Sequence, residues 1–324
     1  MTRGRLVAAL ATVLAAAPAA AYVRTRDPQT GKGLLWAVPS VAWRLNRDWP
    51  NSSPSCAATE AGDPTLAAVQ ASFSAWEQSC ADLRLVYGGT SGEIQTGMGG
   101  TSENLVVFRR GWCSQNPAAA ADACFGDANA DCGGLYDCFD DFGCHPTDTS
   151  CANWGVVALT SVLYNPDTGR IMDADIELNG WDGADAGGPI AIPPRHGWYF
   201  TCYDATQPAA QCASYGADAC KFIDLRNTAT HEVGHVIGLA HNPRDPSKPQ
   251  DSWPTMDPTT TPGETWKRSL SQDDVDGVCA IYPPASGGCG CGSGGAAGAI
   301  SLLALALALR PRRGARVGAL GGSG

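Results

Sequence analysis

The chain has 324 residues, with Lys+Arg 22 against Asp+Glu 32 and a formal net charge of -10, so it lacks the positive excess that gripping phosphate requires and a nucleic-acid partner is disfavoured. With 17% charged and 44% hydrophobic residues, 39 Gly and 22 Pro, it is neither a disordered polyelectrolyte nor a coiled coil. A loop-rich globular body is expected over residues 22–286, long enough for one large domain or two small ones.

Arg3 and Arg5 precede the apolar run Leu6–Ala17 and then Pro18-Ala19-Ala20-Ala21. That order predicts a secretory signal peptide over residues 1–21, since the apolar run is too short for a span of about 20 residues. The 14 cysteines suit an exported protein, where thiols oxidise. Twelve lie in the body: Cys56, Cys80, Cys113, Cys124, Cys132, Cys138, Cys144, Cys151, Cys202, Cys212, Cys220 and Cys279. They allow up to six disulfides and leave the pairing open.

Trp36–Asn46 alternates apolar and polar residues and predicts a strand. Asp63 offers an N-cap, Pro64 a first helical position, and Leu66, Val69, Phe73 and Trp76 fall at helical spacing, which predicts a helix over about 64–80. Leu83–Tyr87 and Asn104–Arg109 are two further strands. Residues 111–152 hold six of the body's cysteines and little hydrophobic periodicity, so they form a disulfide-stapled insertion. A structural zinc site using His145 beside Cys144 is the alternative there.

Trp154–Tyr164 and Arg170–Leu178 are apolar, β-branched runs joined by the turn sequence Asn165-Pro166-Asp167-Thr168-Gly169, hence a hairpin. In its second arm Asp173, Asp175 and Glu177 share one face. Three acids side by side repel unless solvated, the default expectation, or bound to a cation such as calcium. A second loop insertion spans about 180–220. Helices follow over about Phe222–Gly238 and Gln272–Ile281, the latter with Ser271 as N-cap and Asp273 and Asp274 in its first turn.

Residues 231–241 read HEVGHVIGLAH. His231 and His235, four apart on a helix, project from one face and can meet one metal ion. Glu232 is rotated about 100° from them. Gly238 can adopt a positive φ, end the helix and return His241 as a third nitrogen ligand. Three imidazoles with an open fourth position form a catalytic zinc arrangement, with Glu232 as general acid/base on water attacking a peptide carbonyl. The competing interpretation of two helical histidines is a pair of half-buried rings.

HExxHxxGxxH followed by Met256 in PTMDP resembles the metzincin zinc endopeptidases, whose Met-turn lies beneath the zinc ligands. LSQDDVDGVCAIYP (270–283) and MDADIELN (172–179) are similar to the matrixins within that superfamily. The resemblance runs from about Leu34 to Pro283 and implies an α/β (α+β) fold. That fold has a twisted, mostly parallel five-stranded sheet, one antiparallel edge strand and three helices. Gly155–Leu163 would be the edge strand, to which a protein or peptide substrate adds in extended form. It further implies one catalytic Zn2+ on His231, His235 and His241; Ca2+ on Asp173, Asp175 and Glu177 stays open from the strand pattern alone, as the alternative to solvation. Three features depart from the pattern. Asn242 follows the third histidine where matrixins usually have Ser, no PRCGxPD-type segment precedes the domain, and only His145 and His196 remain for a second zinc site, which is left out. His196 reads as a surface or core residue. The rival functions are a surface adhesion or binding module with a non-catalytic metal site, and a metzincin of another subfamily.

After the body, Cys289 and Cys291 stand in GGCGCGSGG, followed by the apolar stretch Ala296–Leu309 and RPRRGAR. Residues 287–324 resemble the MYXO-CTERM sorting tail of exported myxobacterial proteins. The resemblance implies a C-terminal processing enzyme acting near Cys289 or Cys291. It places the protein outside the cell, at the cell surface or outer membrane, with the mature form anchored to the membrane surface. A permanent tail anchor is the alternative.

Overall fold

The computed structural model describes residues 22–46, 54–60, 62–97, 103–124, 132–140, 156–181, 197–202, 222–284 and 316–320. The signal segment, Gly155, His145, His196, Cys144, Cys151, Cys212, Cys220, Cys289, Cys291 and the apolar run of the tail lie outside these residues.

The main sheet contains β1 (Leu35–Trp36), β2 (Ser40–Asn46), β3 (Arg84–Ser91), β4 (Leu105–Arg110), β5 (Ala158–Asn165), β6 (Arg170–Gly180) and the C-terminal strand β9 (Arg316–Leu320). Its order is β3-β2-β4-β6-β5-β9, and β1 pairs with β6. The expected five strands are its centre. β2 runs parallel to β3 and β4, β4 runs parallel to β6, and β5 is antiparallel to β6. β9 adds antiparallel to β5, with Thr160 opposite Leu320 and Tyr164 opposite Arg316. β5, expected as the edge, therefore has a neighbour on both sides. Two short strands, β7 (Phe200–Thr201) and β8 (Ile223–Asp224), pair in parallel just before the helix of the histidine motif.

The single strand expected over Trp36–Asn46 is broken at Ala37-Val38-Pro39. Pro39 has no N–H for a ladder and restricts the residue before it, and the two pieces join different neighbours in the sheet.

Helix α1 (Pro64–Ala75) begins as the sequence dictates, with the Asp63 carboxylate accepting from the Leu66 N–H at 3.1 Å and Pro64 at the first position. It ends at Ala75, short of residue 80, where Trp76 turns inward and donates its indole N–H to Thr230 O at 2.9 Å. Phe73 stacks on Trp43 of β2 with ring centroids 4.1 Å apart, so α1 is packed on the sheet by a flat aromatic contact. The Cys-rich insertion carries two short helices, α2 (Pro117–Ala121) and α3 (Cys132–Tyr136). Its small core of Cys113, Ala119, Cys132 and Cys138 is stapled by Cys113–Cys138 and Cys124–Cys132. Two longer-range disulfides, Cys56–Cys202 and Cys80–Cys279, fasten the periphery to the body.

The acidic face of β6 is not solvated. Asp173, Asp175 and Glu177 are 3%, 1% and 2% exposed. The chain covers them with the Ile94–Gly97 segment and β4. Arg109 pairs with Glu177 at 2.5 Å, Thr96 Oγ1 donates to Glu177 at 3.0 Å, and Asp175 accepts from the N–H groups of Gly97 and Leu105 at 2.7 and 2.8 Å. Alternation correctly grouped the three acids, but which face of a strand meets solvent depends on what packs over it.

Candidate metal centre

Helix α4 (Leu225–Val236) carries the motif. Asp224 caps it, accepting from the Asn227 N–H at 2.7 Å, and the same carboxylate binds the Arg268 guanidinium through both oxygens at 2.9 and 2.5 Å. The helix stops at Val236 because Gly238 takes φ +94°. Any Cβ there would collide with Leu34 O. Trp36 Nε1 donates to Val236 O at 2.9 Å and Tyr282 Oη to Ile237 O at 2.8 Å, which satisfies carbonyls that a helix end leaves without partners.

The reversal returns His241 to the face shared by His231 and His235. Ring centroids lie 5.0, 5.2 and 4.8 Å apart for the 231/235, 231/241 and 235/241 pairs, and one ligand atom from each lies within 4.8 Å of the others. His231 Nδ1 is 2.8 Å from Thr255 O, and His235 Nδ1 is 2.8 Å from Leu239 O. A carbonyl only accepts, so each Nδ1 carries the proton and each Nε2 keeps its lone pair. The Nε2 atoms of all three histidines have no hydrogen-bond partner among the described residues. Converging buried lone pairs without donors fit a cation.

Electrostatics favour the same state. Burial, then the neighbouring His235, Lys267 and His241, holds His231 well below the usual imidazole range. Burial and then His241 push His235 down to about 3, and burial and Lys267 lower His241. The imidazoles are neutral at physiological pH, the form that binds metal.

Glu232 is fully buried against β5, where Thr160 Oγ1 donates to its Oε2 at 2.7 Å. Met256 is 2% exposed and packs under the helix at Gly234, where an added Cβ would collide with its sulfur and crowd the Trp76 ring. Helix α5 (Gln272–Ile281) secures both loops with its paired acids. Asp274 accepts from the N–H groups of Thr255 at 2.8 Å and Ser271 at 2.9 Å, and Asp273 accepts from Asn242 Nδ2 at 2.7 Å. Asn242, which departs from the usual serine, thus joins the third-histidine loop to α5.

Sequence reading missed four contributors. Thr160 lies in a strand 72 positions before Glu232. Lys267 is fully buried in the short 3-10 helix Trp266–Arg268, paired with Glu264 at 3.2 Å and donating to Thr259 O. The carbonyls of Thr255 and Leu239 set the imidazole orientation. Thr160, Lys267 and Thr255 have no spacing signature, because each acts through tertiary contact; Leu239 acts locally, four residues after His235.

The matrixin family model matches residues 182–283, which contain the histidine motif, Met256 and α5. Metalloendoproteinase 1-MMP of Arabidopsis thaliana is 37% identical over 62 residues, 19% of this chain and 15% of that protein. Metalloendoproteinase 1 of Glycine max is 39% identical over 59 residues, 18% of this chain and 17% of that protein. The chain therefore spans less than a fifth of the length of these curated relatives.

Proposed function

We propose that this chain is a zinc-dependent endopeptidase of matrixin-like type, in which His231, His235 and His241 hold one zinc ion and Glu232 is the general acid/base. The observation that carries this reading is the convergence of three partnerless Nε2 atoms, with the buried Glu232 directly following the first of these histidines in the helix. Zinc, when bound, activates water near neutral pH and polarises a carbonyl. Glu232 takes the proton released by the attacking water and passes it to the departing amine. Met256 supports the ligand helix from below. The matched family and the metalloendoproteinase names support protein or peptide substrates.

The signal segment and the disulfides support export, and the tail supports C-terminal processing and a mature form held at the cell surface. Among the described residues no helix is long and apolar enough to cross a membrane.

Metal analysis with a casein digestion assay tests the reading. Glu232→Ala is expected to keep about one zinc per chain and lose nearly all activity, by at least about 100-fold, while His235→Ala loses the metal. A Glu232→Ala protein cleaving at the wild-type rate, or an active protein without metal, overturns it. A wild type that binds zinc and cleaves nothing supports the binding-module alternative.

A second ion is favoured by one further observation: Asp173 Oδ1 is buried without a hydrogen-bond partner among the described residues. Calcium held by Asp173 and Asp175 would neutralise these two acids, as Arg109 does Glu177. Chelation selective for calcium should then lower the melting temperature by mass action, and an unchanged melting curve overturns the reading.

A further inference from the structure

We infer that Thr160 is a positioning residue for Glu232, a role that rests on the general-base reading above. Ala158, Thr160 and Val162 share one face of β5, and all three are 0% exposed. A hydroxyl in an otherwise apolar buried row is costly unless it is hydrogen-bonded. This one points to Glu232, 2.7 Å from Oε2 and 3.3 Å from the backbone oxygen of the same residue. Both neighbours are acceptors, so the single hydroxyl proton is Thr160's to give, and the shorter contact goes to the carboxylate.

The donor is itself rigid. Threonine is β-branched and stiff at χ1, and β5 is hydrogen-bonded to β6 along its length. Glu232, by contrast, has two free torsions beyond its Cβ and sits on a different element. The bond from a fixed strand to a movable helix side chain selects one carboxylate orientation. It commits Oε2 to Thr160 and so fixes the plane in which the carboxylate meets the proton it exchanges. Thr160 touches neither substrate nor metal in this scheme; it acts through Glu232, and misplacement of a reacting group by about 1 Å can cost about 100-fold in rate.

Steady-state kinetics on two variants of the full chain test this. Thr160→Val keeps the volume and branching and removes the hydroxyl; Thr160→Ser keeps the hydroxyl and removes the methyl. Thr160→Val is expected to lower kcat by about tenfold or more with KM within about twofold and one zinc per chain retained, while Thr160→Ser keeps most of kcat. A merely structural residue would not divide kcat from KM, nor be rescued by serine. Wild-type kcat in Thr160→Val, or an equal loss in Thr160→Ser, overturns the inference. Should valine prevent folding, Thr160→Ala provides the same comparison with serine. An active wild type with an unaffected Thr160→Val sinks this inference alone; a zinc-loaded wild type that cleaves nothing sinks both it and the peptidase reading.

Discussion

His231, His235 and His241 are held neutral chiefly by burial, and this has a pH consequence for the metal-free protein. The unfolded chain takes up protons near the ordinary imidazole pKa of about 6.5, whereas the folded chain resists them. Their contribution to stability is therefore present above about pH 6.5 and is lost as pH falls towards the depressed folded values, about 3 for His235. The melting temperature of the apoprotein should fall steadily from pH 6.5 to 4.5, and a flat profile would contradict this. Asp173 behaves in the opposite sense: burial raises its carboxyl to about 6. Burial and then the neighbouring Asp173 also hold Asp175 well above the usual carboxylate range; two facing buried acids cost stability, so in calcium-free buffer Asp173→Asn should raise the melting temperature by several degrees, read by calorimetry. The helical placement of the histidines and the reversal at Gly238 were legible in residues 231–241 because period and glycine chemistry are local. The Thr255 carbonyl that fixes the His231 tautomer, and buried Lys267, were not, since they arrive from segments whose path the sequence does not state.

At the scale of elements, α4 is fixed at both ends and from below. Gly234, in mid-helix, looks like a defect by propensity, since alanine is favoured by about 1 kcal/mol there. The contact beneath decides otherwise, because a Cβ at 234 would collide with Met256 and press on Trp76. Gly234→Ala should therefore destabilise the zinc-loaded protein by about 1–3 kcal/mol and weaken zinc retention, measured by melting and by metal competition. A stabilised Gly234→Ala protein would show that Met256 yields freely. The hairpin of β5 and β6 and the capped start of α5 were legible from turn and cap residues. The break at Pro39 was hidden within an alternating run, and the burial of the β6 acids was hidden because Arg109 and the Ile94–Gly97 segment come from elsewhere in the chain.

At the scale of the molecule, cysteine counting announced an oxidised protein but could not choose among pairings. Cys80–Cys279, separated by 199 positions, ties the chain just past α1 to α5, and Cys56–Cys202, separated by 146, ties the start of the helical layer to β7. Cross-links across such long loops are worth about 2–5 kcal/mol through the unfolded ensemble. The Cys80→Ser/Cys279→Ser protein should melt several degrees below wild type, and no shift would mean that core packing of Val278 and Ile281 with the Asp273 and Asp274 bonds holds α5 without the cross-link. β9 was not foreseen, because residues 316–320 resemble part of a sorting tail and carry no strand period. Its pairing with β5 makes the strand proposed to receive substrate a contested seat. An incoming peptide must outcompete a rival carried on the same chain, whose pairing is intramolecular. Removing the tail, as cleavage near Cys289 or Cys291 would, releases that competition. A chain ending at residue 286 should show a lower KM than the full chain at unchanged kcat, and equal KM values would mean that β9 yields to substrate without resistance.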